Sequence, residues 1–370
     1  MRALRVAVLG AAGTIAPAIV RDIASSDEVS SILLLDLDAK RAAAVAAEHG
    51  GGIAEARGAD ARSGLAAEIE SCDVLVNSAS YRVNLDAMRA CLQAGCHYLD
   101  LGGLYHVTGE QLALGDEFER ADRLAVLGIG SSPGKTNLLA ARAAEELGGA
   151  EAIEVSAAGR DPDPPPGLSL PYALETLIDE LTLPPVVLRG GEPVELEPLS
   201  SGGEVDFGEP IGPAPTIHTL HSELRTFGES FACREASFRL SLAEDLLERL
   251  RELAGATEDE VRTAGRDAGK PSPRTVAVHL VEARGSDRGA RMRAVTGPHE
   301  EWGIGGGIVS TASPAAATVR LLARGRLDAR GALPPERCID PGEMFAELET
   351  RGCRFELELL EGAVAGEGGG

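Results

Sequence analysis

Five apolar, β-branched runs punctuate the first third of the chain, at Arg5–Leu9, Ile32–Leu35, Val74–Val76, Tyr98–Leu101 and Leu124–Ile129. Ala-rich stretches with helical spacing separate them: Ile15–Ala24, Ala39–Glu48, Val83–Ala94 and Gln111–Ala121. A strand that is apolar on both faces must be covered on both sides. The pattern therefore predicts a parallel sheet with helices above and below. Right-handed crossovers between such strands give an α/β fold with a Rossmann-type doubly wound parallel sheet.

Past Gly134 the texture turns to α+β. Asn137–Leu147 reads as a helix and Ala152–Ala157 as a strand. Asp161–Gly167 holds four prolines, which exclude helix and inner strand and predict a stiff loop. Leu188–Leu199 resembles a hairpin around Arg189–Glu192. Ser237–Leu240 and Thr275–Val281 read as strands on either side of a charged helix, Ala243–Leu253. The glycine-rich run Trp302–Gly307 is a turn or a lid edge leading into a strand at Ile308–Ser310. Ser313 and Pro314 then supply an N-cap and an N1 proline for a helix over Ala315–Ala323, stopped by Gly325. The tail Gly366–Gly370 has nothing to pack and is expected to fray.

Bulk properties narrow the function. At about 100–200 residues per domain, a chain of 370 residues predicts two domains. Lys and Arg number 35 against 58 Asp and Glu, a net charge of −23, which repels nucleic acid and anionic membranes. Six cysteines form no CxxC pair, so a zinc ribbon and a thioredoxin motif are excluded, and no metal is expected. The N-terminus enters a strand directly, without a signal-type apolar region, and no apolar run is long enough to span a bilayer. A cytoplasmic protein is the expectation.

The first strand ends in Gly10-Ala11-Ala12-Gly13-Thr14-Ile15-Ala16. Gly10 suits a tight turn beside a pyrophosphate. The helix near Gly13 aims free N–H groups and its positive end at that charge, and small Ala16 lets it pack closely. The competing reading is an ordinary βα turn. Asp36, ending the second strand beside Leu37, is placed to bind the adenosine ribose hydroxyls, which predicts NAD. Lys40 and Arg41 follow closely and leave NADP possible. Asp36 as the N-cap of the next helix is the alternative. Asp60, after the third strand, is expected beside the adenine. Asn77, Ser78, Ala79 and Ser80, after the fourth, border the ribose and nicotinamide, or Asn77 merely caps a turn. Gly128–Thr136 imitates a P-loop. Five residues follow Gly128 and three follow Gly130 before Gly134-Lys135, where the motif requires four, and Pro133 removes an N–H.

Cys96-His97-Tyr98-Leu99-Asp100-Leu101-Gly102-Gly103, followed by Gly130-Ser131-Ser132-Pro133-Gly134-Lys135-Thr136-Asn137, resembles the saccharopine dehydrogenase-like family. The Gly10/Gly13/Ala16 turn, Asn77-Ser78-Ala79, His218–Glu223 and Leu333–Glu336 are similar too. The Pro-rich loop, Leu177–Arg189 and His218-Thr219 resemble the lysine 6-dehydrogenase type. The resemblance implies a Rossmann domain (1–135 and 310–340) split by an inserted α+β domain (136–309 and 341–365) carrying substrate and dimer contacts. It also implies oxidation or reductive formation of a C–N bond of an amino acid or polyamine with NAD or NADP, in a homodimer. The same fold could serve a regulator that binds the cofactor without chemistry.

Amine oxidation needs a neutral amine, a general base and water to hydrolyse the imine. Asp100, ending the fifth strand, is the best-placed carboxylate, or else a cap on the Gly102-Gly103 turn. His106, with a pKa near ~6.5, is a proton carrier or a solvated loop residue. Tyr81 orders water or packs as an amphipathic side chain, and His97 reads as a core residue held by a hydrogen bond. Gly102, Gly103, Pro133, Gly134 and Asn137 are expected at the substrate. Lys135 suits a substrate carboxylate or is a plain first-turn residue. His218, His221 and Glu223 suit substrate positioning; as H-x-x-H they lack an evident third metal ligand.

Overall fold

The computed structural model describes residues 3–166 and 172–361. Gly167 of the Pro-rich run and the tail Gly366–Gly370 lie outside the described residues.

The first sheet is parallel throughout, in the order β15-β6-β5-β4-β1-β2-β3. Its strands are β1 (Leu4–Leu9), β2 (Val29–Asp36), β3 (Ala54–Gly58), β4 (Val74–Asn77), β5 (His97–Asp100), β6 (Leu124–Val126) and β15 (Gly331–Leu333). The connecting helices are α1 (Ala16–Ala24), α2 (Ala39–His49), α3 (Leu65–Ile69), α4 (Asn84–Ala94), α5 (Leu104–Leu112) and α6 (Gly115–Arg120). Val6 and Val8 face one buried cluster while Ala7 and Leu9 face another. This two-sided burial is the physical reason for the continuous apolar runs. Gln111–Ala121 is two helices rather than one, because Ala113 and Leu114 break the run.

The second sheet has the order β10-β11-β12-β7-β13-β14-β16, with β8 on β12 and β9 on β8. Its strands are β7 (Ala152–Arg160), β8 (Val186–Arg189), β9 (Glu192–Glu195), β10 (Ser201–Asp206), β11 (Pro213–His218), β12 (Glu235–Ser241), β13 (Val276–Arg284), β14 (Arg288–Thr296) and β16 (Cys353–Glu361). Only β12 and β7 run parallel; the other pairs are antiparallel. The β8–β9 hairpin turns at Gly190 and Gly191, both at positive φ. The remaining helices are α7 (Lys135–Leu147), α8 (Leu174–Thr182), α9 (Glu223–Phe231), α10 (Glu244–Ala254), α11 (Glu258–Asp267), α12 (Gly306–Ala323) and α13 (Pro341–Glu349). After α12 the chain returns to the first sheet with β15 and then to the second with β16.

The C-terminal helix corrects an expectation. Ile308–Ser310 is not a strand, and Ser313-Pro314 does not begin a helix. Both lie inside α12, with Pro314 in its middle. Proline normally disfavours a helix interior. Here Val309, Ala312, Ala315, Ala316 and Val319 are all buried, and packing outweighs the lost bond. The true start is at Gly305 and Gly306, where a Cβ on Gly306 would lie 2.1 Å from the Thr296 carbonyl oxygen.

Candidate active site

The carboxyl ends of the first sheet's strands form a cradle with a tight entrance. Gly10 has φ +75°, and a Cβ there would lie 2.6 Å from the Ala79 amide nitrogen. A side chain is thus excluded twice, by conformation and by contact. The Gly13 N–H donates to the Gly10 carbonyl at 3.0 Å. Ile15, at the N-cap of α1, offers no side-chain cap, Pro17 has no N–H and the Ala18 N–H donates to the Ile15 carbonyl, so the Ile15 and Ala16 amides are the ones left to face an outside acceptor. Asp36 accepts the Ala12 N–H at 2.9 Å, tying the carboxylate at the end of β2 to the turn. It does not cap α2; Asp38 does, accepting from Lys40 and Arg41. Leu37 is 80% exposed beside it, an apolar surface next to the carboxylate. Arg41 donates to the Ala12 carbonyl at 2.8 Å. Asp60 is exposed after β3 and accepts the Arg62 N–H. Asn77 is buried, accepts the Ala79 N–H, and donates to Asn84 and Tyr98, so it shapes the turn from below. Ser80 accepts the Arg82 N–H, while the buried Ser78 hydroxyl has no partner. Glycine turn, uncapped helix end and terminal carboxylate suit a dinucleotide.

Asp100 is enclosed. Its Oδ1 accepts the Gly102 and Gly128 N–H groups at 3.0 and 2.7 Å. Its Oδ2 accepts from Gln111 at 2.6 Å and Asn84 at 3.2 Å. Burial raises its pKa despite these donors. With its lone pairs engaged and 1% exposure, Asp100 braces the Gly102-Gly103 turn and presents no atom to a substrate. The turn needs that bracing because Gly102 and Gly128, both at positive φ, close on Pro133: Cβ atoms there would come within 3.0 and 2.7 Å of its ring.

Beyond these turns, α8, His221 in the loop before α9 and Glu223 at the start of α9 build a charged wall. Glu223 Oε1 accepts from Ser132 at 2.7 Å and Thr136 at 2.8 Å. Its Oε2 lies 3.2 Å from His221 Nδ1, and His221 Nε2 lies 3.8 Å from Glu180 Oε2. The ring of His221 stacks on Phe238 at 3.5 Å between centroids. Burial opposes the imidazolium, but Glu223 and Glu180 outweigh it and raise the pKa. Burial likewise opposes the Glu223 carboxylate, and His221 with Ser132 holds it below the usual range. Burial pushes Glu180 up, and the Tyr172 hydroxyl donates to it. Next on α8, Asp179 accepts the Tyr81 hydroxyl at 2.6 Å and pairs with Arg82. Burial, then Asp179, pushes Tyr81 up to about 12.

The structure thus brings Ser132 and Thr136, on either side of Pro133 and Gly134, to Glu223 beside His221, and Tyr81 to Asp179 next to Glu180. It does not bring His106, which is exposed on α5 with its ring edge-on to Tyr105. His218 bonds the Phe238 carbonyl from a half-buried site. His97 accepts the Leu124 N–H at 3.0 Å as a structural residue. Asn137 accepts the Gly134 N–H and donates to Glu336, pinning the loop rather than facing a ligand. Lys135 is turned away into the packing between α7, β14 and α12. No group of three or more potential metal ligands occurs among the described residues. Sequence reasoning named none of Tyr172, Asp179 and Glu180 as site residues; the Leu174–Leu177–Leu181 stripe is the signal that α8 docks.

Residues 6–126 match the family described as the Saccharopine dehydrogenase NADP binding domain. A curated relative, the carboxyaminopropylagmatine dehydrogenase of Synechocystis sp., is 28% identical over 207 residues. That match covers 52% of this chain and 51% of the relative, so the chain matches about half the relative's length. Among solved structures, apo saccharopine dehydrogenase (L-Glu forming) from Saccharomyces cerevisiae superposes with a TM-score of 0.70. It is 13% identical, with 96% of this chain and 100% of that one covered, a likeness of fold. The resemblance to the saccharopine dehydrogenase-like family holds over residues 6–126, without singling out the lysine 6-dehydrogenase type, and the cofactor is a nicotinamide dinucleotide, NAD or NADP. No helix among the described residues is long and apolar enough to cross a membrane.

Proposed function

We propose that this chain, an NAD(P)-dependent oxidoreductase of the saccharopine dehydrogenase type, acts on a C–N bond of a cationic amino acid or polyamine. The first reaction to consider is lysine 6-dehydrogenase-type oxidative deamination with NAD. The observation that carries the reading is the wall made by Asp179, Glu180, His221 and Glu223, where three carboxylates meet one arginine and one histidine. Such a wall favours a substrate that arrives with positive charge.

Bound nicotinamide supplies the hydride acceptor or donor. This chain's own residues then have distinct tasks. Gly10, Ala12, Gly13, Thr14 and Ile15 offer backbone to the pyrophosphate, and Asp36 with Leu37 holds the adenosine end. Asp60 and Asn77–Ser80 line the remaining length. Glu223 accepts at His221 Nδ1, which leaves Nε2 as the atom that takes up or returns a proton. Ser132 and Thr136 fix Glu223 from the Pro133 loop. Tyr81 donates to Asp179 and holds that carboxylate toward α8's end of the cleft.

A second reading is reductive joining of an amine and a carbonyl compound, as saccharopine- or carboxynorspermidine-type enzymes do. It is favoured by the Synechocystis relative, whose named substrate is a carboxyalkylated amine. One experiment separates them: nicotinamide absorbance with NAD and NADP against lysine, ornithine, saccharopine and polyamines, then with NADH or NADPH, an amine and an α-keto acid or aldehyde. Turnover of lysine with NAD, faster than with NADP because a 2′-phosphate meets Asp36, supports the first reading. Turnover only in the reductive direction selects the second. Tight cofactor binding with silence in both directions defeats both.

A further inference from the structure

The Pro133 loop and α9 are joined a second time, by a carboxylate outside the charged wall. Glu336 lies in the single turn Pro335–Arg337 that follows β15. Its Oε2 accepts from Asn137 Nδ2 at 2.7 Å, and its Oε1 accepts from Thr226 Oγ1 at 2.7 Å and Ser230 Oγ at 2.9 Å. Asn137 in turn accepts the Gly134 N–H at 2.8 Å. Gly134 has φ +120°, and a Cβ there would lie 2.4 Å from the Gly130 carbonyl oxygen, so the turn that Asn137 holds is closely fitted. Thr226 and Ser230 lie one and two turns past Glu223 on α9. The three donors are neutral, and burial pushes the Glu336 pKa up against them.

Glu336 therefore grips both elements that meet at Glu223. Thr136, which donates to Glu223, is the neighbour of Asn137, and Glu223 begins the helix that carries Thr226 and Ser230. We propose that Glu336 is a positioning residue for the Glu223–His221 pair: by fixing α9 against the Pro133 loop, it keeps Ser132 and Thr136 within reach of Glu223. This rests on the reading of that pair as the proton-handling group. Three directed hydrogen bonds set the spacing and rotation of the two elements, which non-directional apolar contact does not. Glu336 bonds neither His221 nor Glu223, so its effect on them is carried by geometry. The ionisable groups around the pair are Glu180 on α8 and His279 on β13; Cys338 lies beside Glu336. Positioning and charge predict opposite effects. Loosening α9 deprives Glu223 of two hydroxyl donors and raises its pKa, whereas removing Glu336 as a mere negative charge would lower it.

The test is an NMR titration of the His221 ring in protein with isotope-labelled histidine, the resonance being assigned as the one missing from His221→Gln. It reports its own ionisation above pH 6.5 and, through the adjacent carboxylate, that of Glu223 below pH 4.5. In Glu336→Ala the lower inflection is expected to move up by about one pH unit, the equivalent of one hydrogen bond to a charged group. In Glu336→Gln the side-chain carbonyl can accept from Asn137 while the amide donates to the two hydroxyls, so the wild-type inflection is expected to return. Thr226→Val keeps the Asn137 bond and is expected to move the inflection the same way by less; it decides the matter where Glu336→Ala does not fold. A lower inflection unmoved in Thr226→Val and in folded Glu336→Ala, a downward move, or a Glu336→Gln protein shifted as far as Glu336→Ala overturns the proposal. The titration needs no substrate. Silence toward every amine would defeat the functional reading, while the inflection alone decides the role of Glu336.

Discussion

The end of β5 and the start of α9 each bury a carboxylate, and they do so by different means. Asp100 is held by neutral donors, Asn84, Gln111, Tyr98 and the Gly102 and Gly128 amides. Glu223 is held by the hydroxyls of Ser132 and Thr136 and by the ring of His221. Burial pushes Asp100 up, and its hydrogen bonds fail to reverse it. Glu223 is equally enclosed but sits below the usual range, because a cation lies beside it. Neutral donors favour the ionised form of a buried carboxylate, but at Asp100 they do not overcome burial; at Glu223 the added charge of His221 does. The first arrangement suits holding a shape, the second suits holding and exchanging a proton.

The largest effect should come from attacking the shape-holding site. Asp100→Ala leaves the Gly102 and Gly128 amides, Gln111 and Asn84 without their acceptor. At roughly 1–3 kcal/mol per stranded buried group, with partial relaxation, the fold should lose about 4 kcal/mol. Urea unfolding followed by circular dichroism measures it. A variant that keeps wild-type stability but loses turnover would reverse the comparison and return Asp100 to the chemistry.

Next in size is the proton-holding site. His221→Gln keeps a polar group of similar reach but removes the ionisable ring. Turnover should fall about 100-fold, the lower range for loss of an acid–base group, while NAD(P)H fluorescence titration gives an unchanged Kd. Equal losses in turnover and cofactor binding would make His221 a brace like Asp100.

The two sites also differ in how well the chain announces them. Asp100, Gly102 and Gly128 lie at strand ends within one alternating pattern, so their place beyond the sheet's carboxyl edge follows from the strand order alone. Even there, periodicity is silent on whether a carboxylate at a strand end faces a ligand or its own turn. The charged wall joins residues 81, 132, 179, 180, 221 and 223, and nothing local connects them. Asp179 and Glu180 are on an acidic amphipathic helix whose apolar stripe packs on α10 and α11, and the fold alone brings Asp179 to Tyr81 and Arg82 and Glu180 to Tyr172 and His221. Pro314 failed as a helix start for a related reason: the packing of α12 against other elements overrides local proline chemistry. Lys135 is the sharpest case, since a cation beside a glycine turn reads as a ligand for substrate anions, yet Thr296 and Ser310 draw it the other way.

The smallest predicted effect probes whether His221 and Glu223 are a charged pair. His221 has a folded pKa above its ordinary 6.5, so its stabilisation is complete below about pH 6.5 and fades as pH rises through the folded value. Glu223 has a folded pKa below its ordinary 4.5, so its stabilisation is complete above about pH 4.5 and fades as pH falls through the folded value. The overlap places the strongest coupling between about pH 4.5 and 6.5. Other groups facing the pair are Glu180, whose ionisation favours the imidazolium, and His279, which burial keeps neutral. A double-mutant cycle of His221→Gln and Glu223→Gln cancels their separate contributions. Its coupling energy from urea unfolding should reach about 2 kcal/mol in the overlap, the scale of a hydrogen bond between charged groups, and decline on both sides. A coupling that is flat from pH 4 to 9 would mean that the pair is neutral. Glu223 would then be held, like Asp100, by hydrogen bonds alone.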